Sequence, residues 1–102
     1  MAHHLQAMTD EMFDAILRKA ECEKKGDIAT LPEGRTLALY VAHQGTSLNV
    51  SRIVEVMQDG GLIEARNVKG ELFILSREDI FAASVVGGSK DGPARKAGFL
   101  AK

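Results

Sequence analysis

The chain has 102 residues, of which 45% are apolar and 26% charged, and its formal net charge is −1. This size fits one domain, and the composition is that of a globular protein, which excludes a mainly disordered chain. One cysteine excludes an internal disulfide framework, and no apolar run approaches the roughly 20 residues that cross a bilayer. Without the basic start and apolar stretch of a signal peptide, a cytoplasmic protein with no membrane association is expected.

The charge is unevenly spread along the chain. Residues 1–88 carry 9 basic and 13 acidic side chains, whereas residues 89–102 carry four basic side chains and one acidic. A small basic tail of this kind can dock on a phosphate backbone or an acidic surface. We therefore divide the chain into a flexible N-terminus at residues 1–9, a single domain at residues 10–88 and a basic, flexible tail at residues 89–102.

The first predicted element is an amphipathic helix at residues 10–25. Thr9 is a suitable N-cap, and Asp10 and Glu11 place negative charge in the first turn, where the helix dipole favours it. Gly26 is predicted to end the helix as a left-handed C-cap. Between these ends runs an apolar stripe with the helical period, formed by Met12, Phe13, Ile16, Leu17 and Ala20.

Five strands are predicted after a connector at residues 26–35. They cover residues 36–43, 46–57, 62–67, 71–75 and 80–86, separated by short turns and, before the last strand, by a link of about one helical turn. This rhythm is typical of an antiparallel meander or small barrel. The predicted fold class is therefore α+β, mainly β: an N-terminal amphipathic helix followed by a five-stranded, strongly bent antiparallel sheet or small barrel.

At least three of these strands, at residues 36–43, 71–75 and 80–86, are apolar on both faces. A sheet with two apolar faces needs a second covering layer, which either the helix or another subunit can supply. A homo-oligomer is therefore expected.

The second strand contains one irregular position. Arg52 interrupts an apolar row that alternates on one face of the strand, made of Leu48, Val50, Val54 and Val56. Either Arg52 is buried with a partner, or a bulge near Ser51 resets the alternation and turns Ile53 inward. We prefer the bulge, because an unpaired buried arginine costs several kcal/mol.

Two segments resemble the Sm-like fold of the bacterial Sm-like RNA chaperone. Residues 39–45, Leu-Tyr-Val-Ala-His-Gln-Gly, are similar to that family's first strand and glycine turn, and residues 71–80 to its fourth strand, link and fifth strand. The resemblance implies a ring-forming barrel. Glu78 and Asp79 stand where the family carries a Lys-His pair that contacts uridine-rich RNA, and an acidic pair would repel phosphate. Other five-stranded SH3-like barrels would show much the same pattern.

No residue pattern indicates catalysis, a cofactor or a metal. Cys22 lies between Glu21 and Glu23, which would raise its pKa, and the other candidates are isolated histidines and the adjacent carboxylates of Glu78 and Asp79. We therefore expect a protein that is not an enzyme.

Basic side chains on the strands, turns and tail are candidates for contact with a nucleic-acid backbone or an acidic protein. The site predicted from them consists of Arg52, Arg66, Lys69, Arg77, Arg95 and Lys96. Tyr40 is the one exposed aromatic residue predicted to stack on a base. The resulting hypothesis is a self-associating small-barrel module that binds nucleic acid, RNA rather than DNA, through its rim and tail. The alternative is a protein-interaction or regulatory domain without nucleic-acid binding.

Overall fold

The computed structural model describes residues 8–87, which form one helix and a curled antiparallel sheet of seven strands. The fold is mainly β, with the helix at the N-terminal end and the sheet shaped as a half-barrel. The predicted tail at residues 89–102 and most of the predicted N-terminus at residues 1–9 lie outside the described residues. The elements are α1 Asp10–Lys19, β1 Glu23–Lys25, β2 Ile28–Thr30, β3 Arg35–His43, β4 Thr46–Asp59, β5 Leu62–Asn67, β6 Leu72–Ser76, a single 3₁₀ turn Arg77–Asp79, and β7 Ile80–Gly87.

Helix α1 begins where the sequence predicts but ends earlier. The Thr9 hydroxyl accepts a hydrogen bond from the Met12 backbone N–H at 3.1 Å, which confirms the N-cap. The predicted C-cap at Gly26 is wrong, because Glu21 already adopts the left-handed conformation at φ 63°. The N–H groups of Glu21 and of the next residue bond carbonyls of the last helical turn, which is the Schellman arrangement that closes a helix.

The residues predicted to end the helix and start the connector instead form a hairpin of β1 and β2. Lys25 pairs with Ile28, and Gly26 occupies the first turn position with φ 63°, the sign that glycine adopts without steric cost. Strand β2 continues the sheet by pairing Ala29 with Val56 of β4. Three-residue strands are too short to show the alternation that reveals the longer strands in the sequence.

Strands β3 to β7 confirm the five predicted strands, with small shifts at their ends. The sheet order is β1-β2-β4-β3-β7, and β5 pairs with both β4 and β6. The 14-residue strand β4 pairs with β3 along its first half and with β5 along its second. Strand β4 is therefore shared by two parts of the curled sheet, whose strands run in different directions.

The predicted bulge in β4 is present. Leu37 pairs with Ile53 and Leu39 with Val50, so that a step of two residues in β3 opposes a step of three in β4. Arg52 has a positive φ of 61° and an exposed side chain, whereas Ile53 is fully buried. The extra residue resolves the apolar alternation without burying the arginine.

The core lies on the inner face of the half-barrel, where α1 covers it. Phe13 and Leu17 of the helix are buried in one cluster with inward side chains of the strands. These strand residues include Leu37, Leu39, Val50, Ile53, Val56 and Ile63.

The first residue of the 3₁₀ turn, an arginine, holds the start of α1. The guanidinium of Arg77 donates to the carbonyls of Met8 at 3.1 Å and Gly60 at 2.9 Å, and it also bonds the Asp10 carboxylate. These contacts fix the start of the helix against the turn between β4 and β5.

A buried arginine holds the other end of α1. The Arg35 guanidinium donates to the Ala20 carbonyl at 3.0 Å and to the Glu21 carboxylate at 3.2 Å. A cation at this position satisfies a free carbonyl and favours the negative end of the helix dipole. The start of β3 is thereby joined to the end of the helix.

The turn between β3 and β4 offers a test of backbone strain. Gln44 and Gly45 both have positive φ, at 51° and 85°, as a type I′ turn requires. Asparagine tolerates this conformation better than glutamine, so Gln44→Asn is expected to raise the free energy of unfolding by about 0.5–1 kcal/mol, or a few degrees in Tm. Gln44→Ala, which keeps the strain, is the control, and thermal unfolding by circular dichroism is the measurement. An equal Tm for both variants would contradict the expected gain.

Candidate binding surfaces

Three of the predicted basic residues lie together at one end of the half-barrel. The Val68 N–H donates to the Arg52 carbonyl at 2.9 Å, which joins the β4 bulge to the turn between β5 and β6. Arg52, Arg66 and Lys69 are all exposed around this junction, and we call them the basic cluster. Arg66 also donates to the Gly70 carbonyl at 3.3 Å and lies 3.7 Å from the Glu55 carboxylate.

A buried asparagine shapes the turn that carries Lys69. The side-chain oxygen of Asn67 accepts from the backbone N–H groups of Lys69 and Glu71, and its amide donates to the Glu71 carboxylate at 2.7 Å. The turn is therefore tied to one side chain rather than free to sample many shapes. Asn67 is not among the residues predicted from the sequence, because an asparagine after a strand indicates a turn without showing that it is buried.

The other three predicted site residues do not join the cluster. Arg77 lies at the opposite end of β6, its side chain is 18% exposed, and its guanidinium is bonded to the helix start and the Gly60 carbonyl. Its contacts are those of a residue that holds the fold. Arg95 and Lys96 lie outside the described residues.

An aromatic pair lies on the outer face of β3 and β7. The rings of Tyr40 and Phe81 have centroids 6.3 Å apart at an interplanar angle of 43°, and the Tyr40 hydroxyl lies 3.2 Å from the Ser84 hydroxyl oxygen. The sequence predicts that Tyr40 is the exposed aromatic residue and does not single out Phe81, but the Tyr40 side chain is half-buried. A register shift after Tyr40 leaves Phe81 without a partner in β3, and its side chain is 61% exposed.

Strands β6 and β7 lie at the two ends of the strand order β7-β3-β4-β5-β6, and within residues 8–87 each has one unpaired edge. Among the described residues, β6 pairs only with β5, and β7 only with β3. Helix α1 covers the inner face of the sheet but not its outer face. Large exposed apolar side chains accompany the two edges: Leu72 and Ile74 on β6, and Phe81, Val85 and Val86 on β7.

The remaining titratable candidates form no convergent set. The His43 ring nitrogen Nδ1 lies 3.1 Å from an Asp79 carboxylate oxygen, in an exposed pair that joins β3 to the 3₁₀ turn. Burial raises the pKa of the Cys22 thiol, and the nearby Arg35 guanidinium partly opposes that rise. Between residues 8 and 87, no three His, Cys, Asp or Glu side chains are grouped as metal ligands.

No family model, curated protein or solved structure matches this chain. Across the part of the chain that the structure describes, no helix has the length and apolar character needed to span a membrane. The function of this chain therefore has to follow from the geometry of its own surfaces.

The Cys22 environment predicts how the thiol titrates. Burial favours the neutral thiol, so its pKa in the folded protein is expected above the value in the unfolded chain. The contribution of the neutral Cys22 thiol to the free energy of unfolding is therefore fully present below the pKa of the unfolded chain, and it is lost as the pH rises through the pKa of the folded protein. Thiolate absorbance near 240 nm should therefore rise at a higher pH in the native protein than in urea. A native midpoint at or below the urea midpoint would refute this, and Cys22→Ala serves as the blank.

Proposed function

We propose that this protein is a non-enzymatic module that self-associates through the edges of its curled sheet. The observation that carries the proposal is the combination of unpaired edges and exposed apolar side chains on β6 and β7. Unpaired edges bind further strands readily, and soluble monomers usually protect them with charge, proline or a covering element. Strand β7 has no charged side chain, and β6 has none between Leu72 and Ser76.

The two edges belong to different strands, which sets the type of assembly. Pairing of β6 from one copy with β7 from the next would continue the sheet through a head-to-tail interface, which closes into a ring or extends as a filament. Phe81 alone is 61% exposed, and burying that surface is worth roughly 3 kcal/mol at about 25 cal/mol per Å². A second copy would thus shield the exposed apolar side chains that lie along the two edges.

RNA binding is a second candidate function, and the basic cluster together with the exposed Phe81 ring of the aromatic pair favours it. Exposed guanidinium and ammonium groups contact phosphates, and an exposed ring stacks on any base. Repetition of the cluster around an assembly would strengthen weak individual contacts. The Sm-like resemblance, which implies a ring-forming barrel, stays a prediction, as do the cytoplasmic location and the absence of cofactors. The alternative is a protein-interaction module with no affinity for nucleic acid.

Self-association is tested by placing charge on the β7 edge. Val86→Lys combined with Phe81→Lys should weaken association at least tenfold, because two lysines would have to be desolvated at the interface. Sedimentation velocity or light scattering over a concentration series measures the change.

The matched control is Leu48→Lys, since Leu48 is 53% exposed and Val86 57%, but Leu48 lies on β4, which is neither of the two edge strands. This control should associate like the unmodified chain. A protein that remains monomeric at millimolar concentration, or variants that associate equally, would remove the proposal.

RNA binding is tested by neutralising the cluster. Arg52→Gln with Lys69→Gln should weaken binding to a single-stranded RNA, and the slope of log affinity against log salt should fall by about one for each side chain that no longer neutralises a phosphate. Lys19→Gln, which changes an exposed lysine on α1, is the control. Fluorescence anisotropy at several salt concentrations is the measurement.

Two results would contradict RNA binding through this surface. One is affinity that does not respond to salt, and the other is an equal drop in affinity in the Lys19→Gln control. The first would favour the protein-interaction alternative.

A further inference from the structure

The outer face of β2, β4, β5 and β6 carries an apolar row interrupted by one carboxylate. Ile28 pairs with Met57, Met57 with Glu64, and Glu64 with Ile74, so these four side chains lie side by side on one face. The face includes a shallow depression of about 160 Å³, whose lining consists of the apolar Ile28, Met57 and Leu72 and the charged Glu55, Glu64 and Arg66. We call Ile28, Met57, Glu64 and Ile74 the outer row.

The carboxylate in this row lacks a partner. Glu64 is half-buried between Met57 and Ile74, and it makes no hydrogen bond or ion pair with any residue between 8 and 87. The nearby Arg66 is directed to Glu55 and to a backbone carbonyl of the following turn. A carboxylate flanked by apolar side chains binds a cation more strongly than one surrounded by water. The outer row is thus suited to a basic segment that also carries apolar side chains.

The chain itself contains such a segment. Residues 93–100, which lie outside the described residues, read Pro-Ala-Arg-Lys-Ala-Gly-Phe-Leu, a basic pair followed by an apolar pair. Residues 89–102 have a net charge of +3, and residues 1–88 have a net charge of −4, so the long-range electrostatic force is attractive.

The end of the described chain places this segment within reach. Strand β7 ends at Gly87, which pairs with Arg35 at the start of β3. Leu31, four residues before Arg35, donates its N–H to the Val54 carbonyl of β4. The next residue of β4, Glu55, lies on the same outer face as Glu64. Eight further residues lead from the end of β7 to the start of the basic pair, and they span up to about 26–29 Å when extended, which is several strand spacings.

We propose that the outer row is an intramolecular docking site for residues 93–100, with the basic pair Arg95 and Lys96 at Glu64 and Phe99 against the adjacent aliphatic side chains. This site is separate from the strand edges, because edge pairing uses backbone groups in the plane of the sheet whereas docking uses side chains on its face. The inference does not rest on self-association or on RNA binding. It gives the two tail residues of the predicted nucleic-acid site an acidic partner within their own chain.

The test uses the full chain with one introduced fluorophore. The protein has no tryptophan, so Phe99→Trp provides a single indole. Its emission should lie at shorter wavelength, and its acrylamide quenching should be weaker, than in a free peptide of residues 89–102 with the same substitution. Glu64→Lys should shift the ratio of docked to free tail about fivefold toward the free form, as expected when one ion pair is removed.

Three comparisons make the result specific. Glu78→Lys, which reverses an exposed charge elsewhere, should leave the indole unchanged. Arg95→Glu with Lys96→Glu should free the tail without altering the sheet, and adding Glu64→Arg to this pair should restore the protected emission. Circular dichroism checks that every variant folds.

Three outcomes overturn the proposal. The first is an indole as exposed in the full chain as in the peptide, and the second is protection that survives the tail reversal. The third is protection that disappears on dilution, because that would place the tail on a second copy. Since each outcome is read from the tail itself, it is independent of whether the chain assembles or binds RNA.

Discussion

The bulge at Ser51 and Arg52 is the constraint on which the rest of the structure depends. Strand β4 has 14 residues, about 46 Å if straight, and it pairs with β3 over one half and with β5 over the other. One unbroken alternation would put Arg52 in the core. With one residue inserted, Val50 and Ile53 both turn inward, the strand bends, and the sheet curls around its inner face. The same insertion leaves Arg52 outside, beside the turn that carries Lys69.

The curl determines what a short helix can cover. A ten-residue helix is marginal by itself, and α1 is held by the sheet at both ends. Arg77 bonds the helix start, Arg35 bonds a carbonyl at its end, and Phe13 and Leu17 fill the inner face. With the helix committed to the concave side, nothing between residues 8 and 87 is left to cover the outer one. The outer apolar residues are therefore a consequence of the architecture and not of one strand's composition.

A feature of this fold can be predicted from the sequence when it depends on residues close together in the chain, and not when it depends on residues far apart. The strands and the bulge are predictable because apolar alternation and turn residues are local signals, and Arg52 is conspicuous in an apolar row. The helix end is not, because Glu21 is a good helix former and gives no sign of its left-handed conformation. The contact of Arg77 with Met8 joins residues 69 positions apart, and the exposure of Phe81 depends on the register between two strands. Since no local pattern reveals either, the sequence does not predict that Arg77 holds the helix start or that Phe81 is exposed.

Between residues 8 and 87, the structure leaves two requirements unmet, and they differ in kind. Within the described part of the chain, one edge each of β6 and β7 has no backbone partner, and another strand can supply one whatever its side chains. Glu64 has no cationic partner among these residues, and strand pairing in the plane of the sheet brings none to it. If strand pairing and tail docking operate together, the docked tail cancels negative charge on the body of each copy. Self-repulsion then falls as copies assemble, and the basic cluster around Arg52 becomes the main positive feature that the assembly presents. Release of the tail would restore the negative charge of the body and free Arg95 and Lys96, so the position of residues 93–100 would set whether a polyanion meets positive charge on the basic cluster alone or also on the tail.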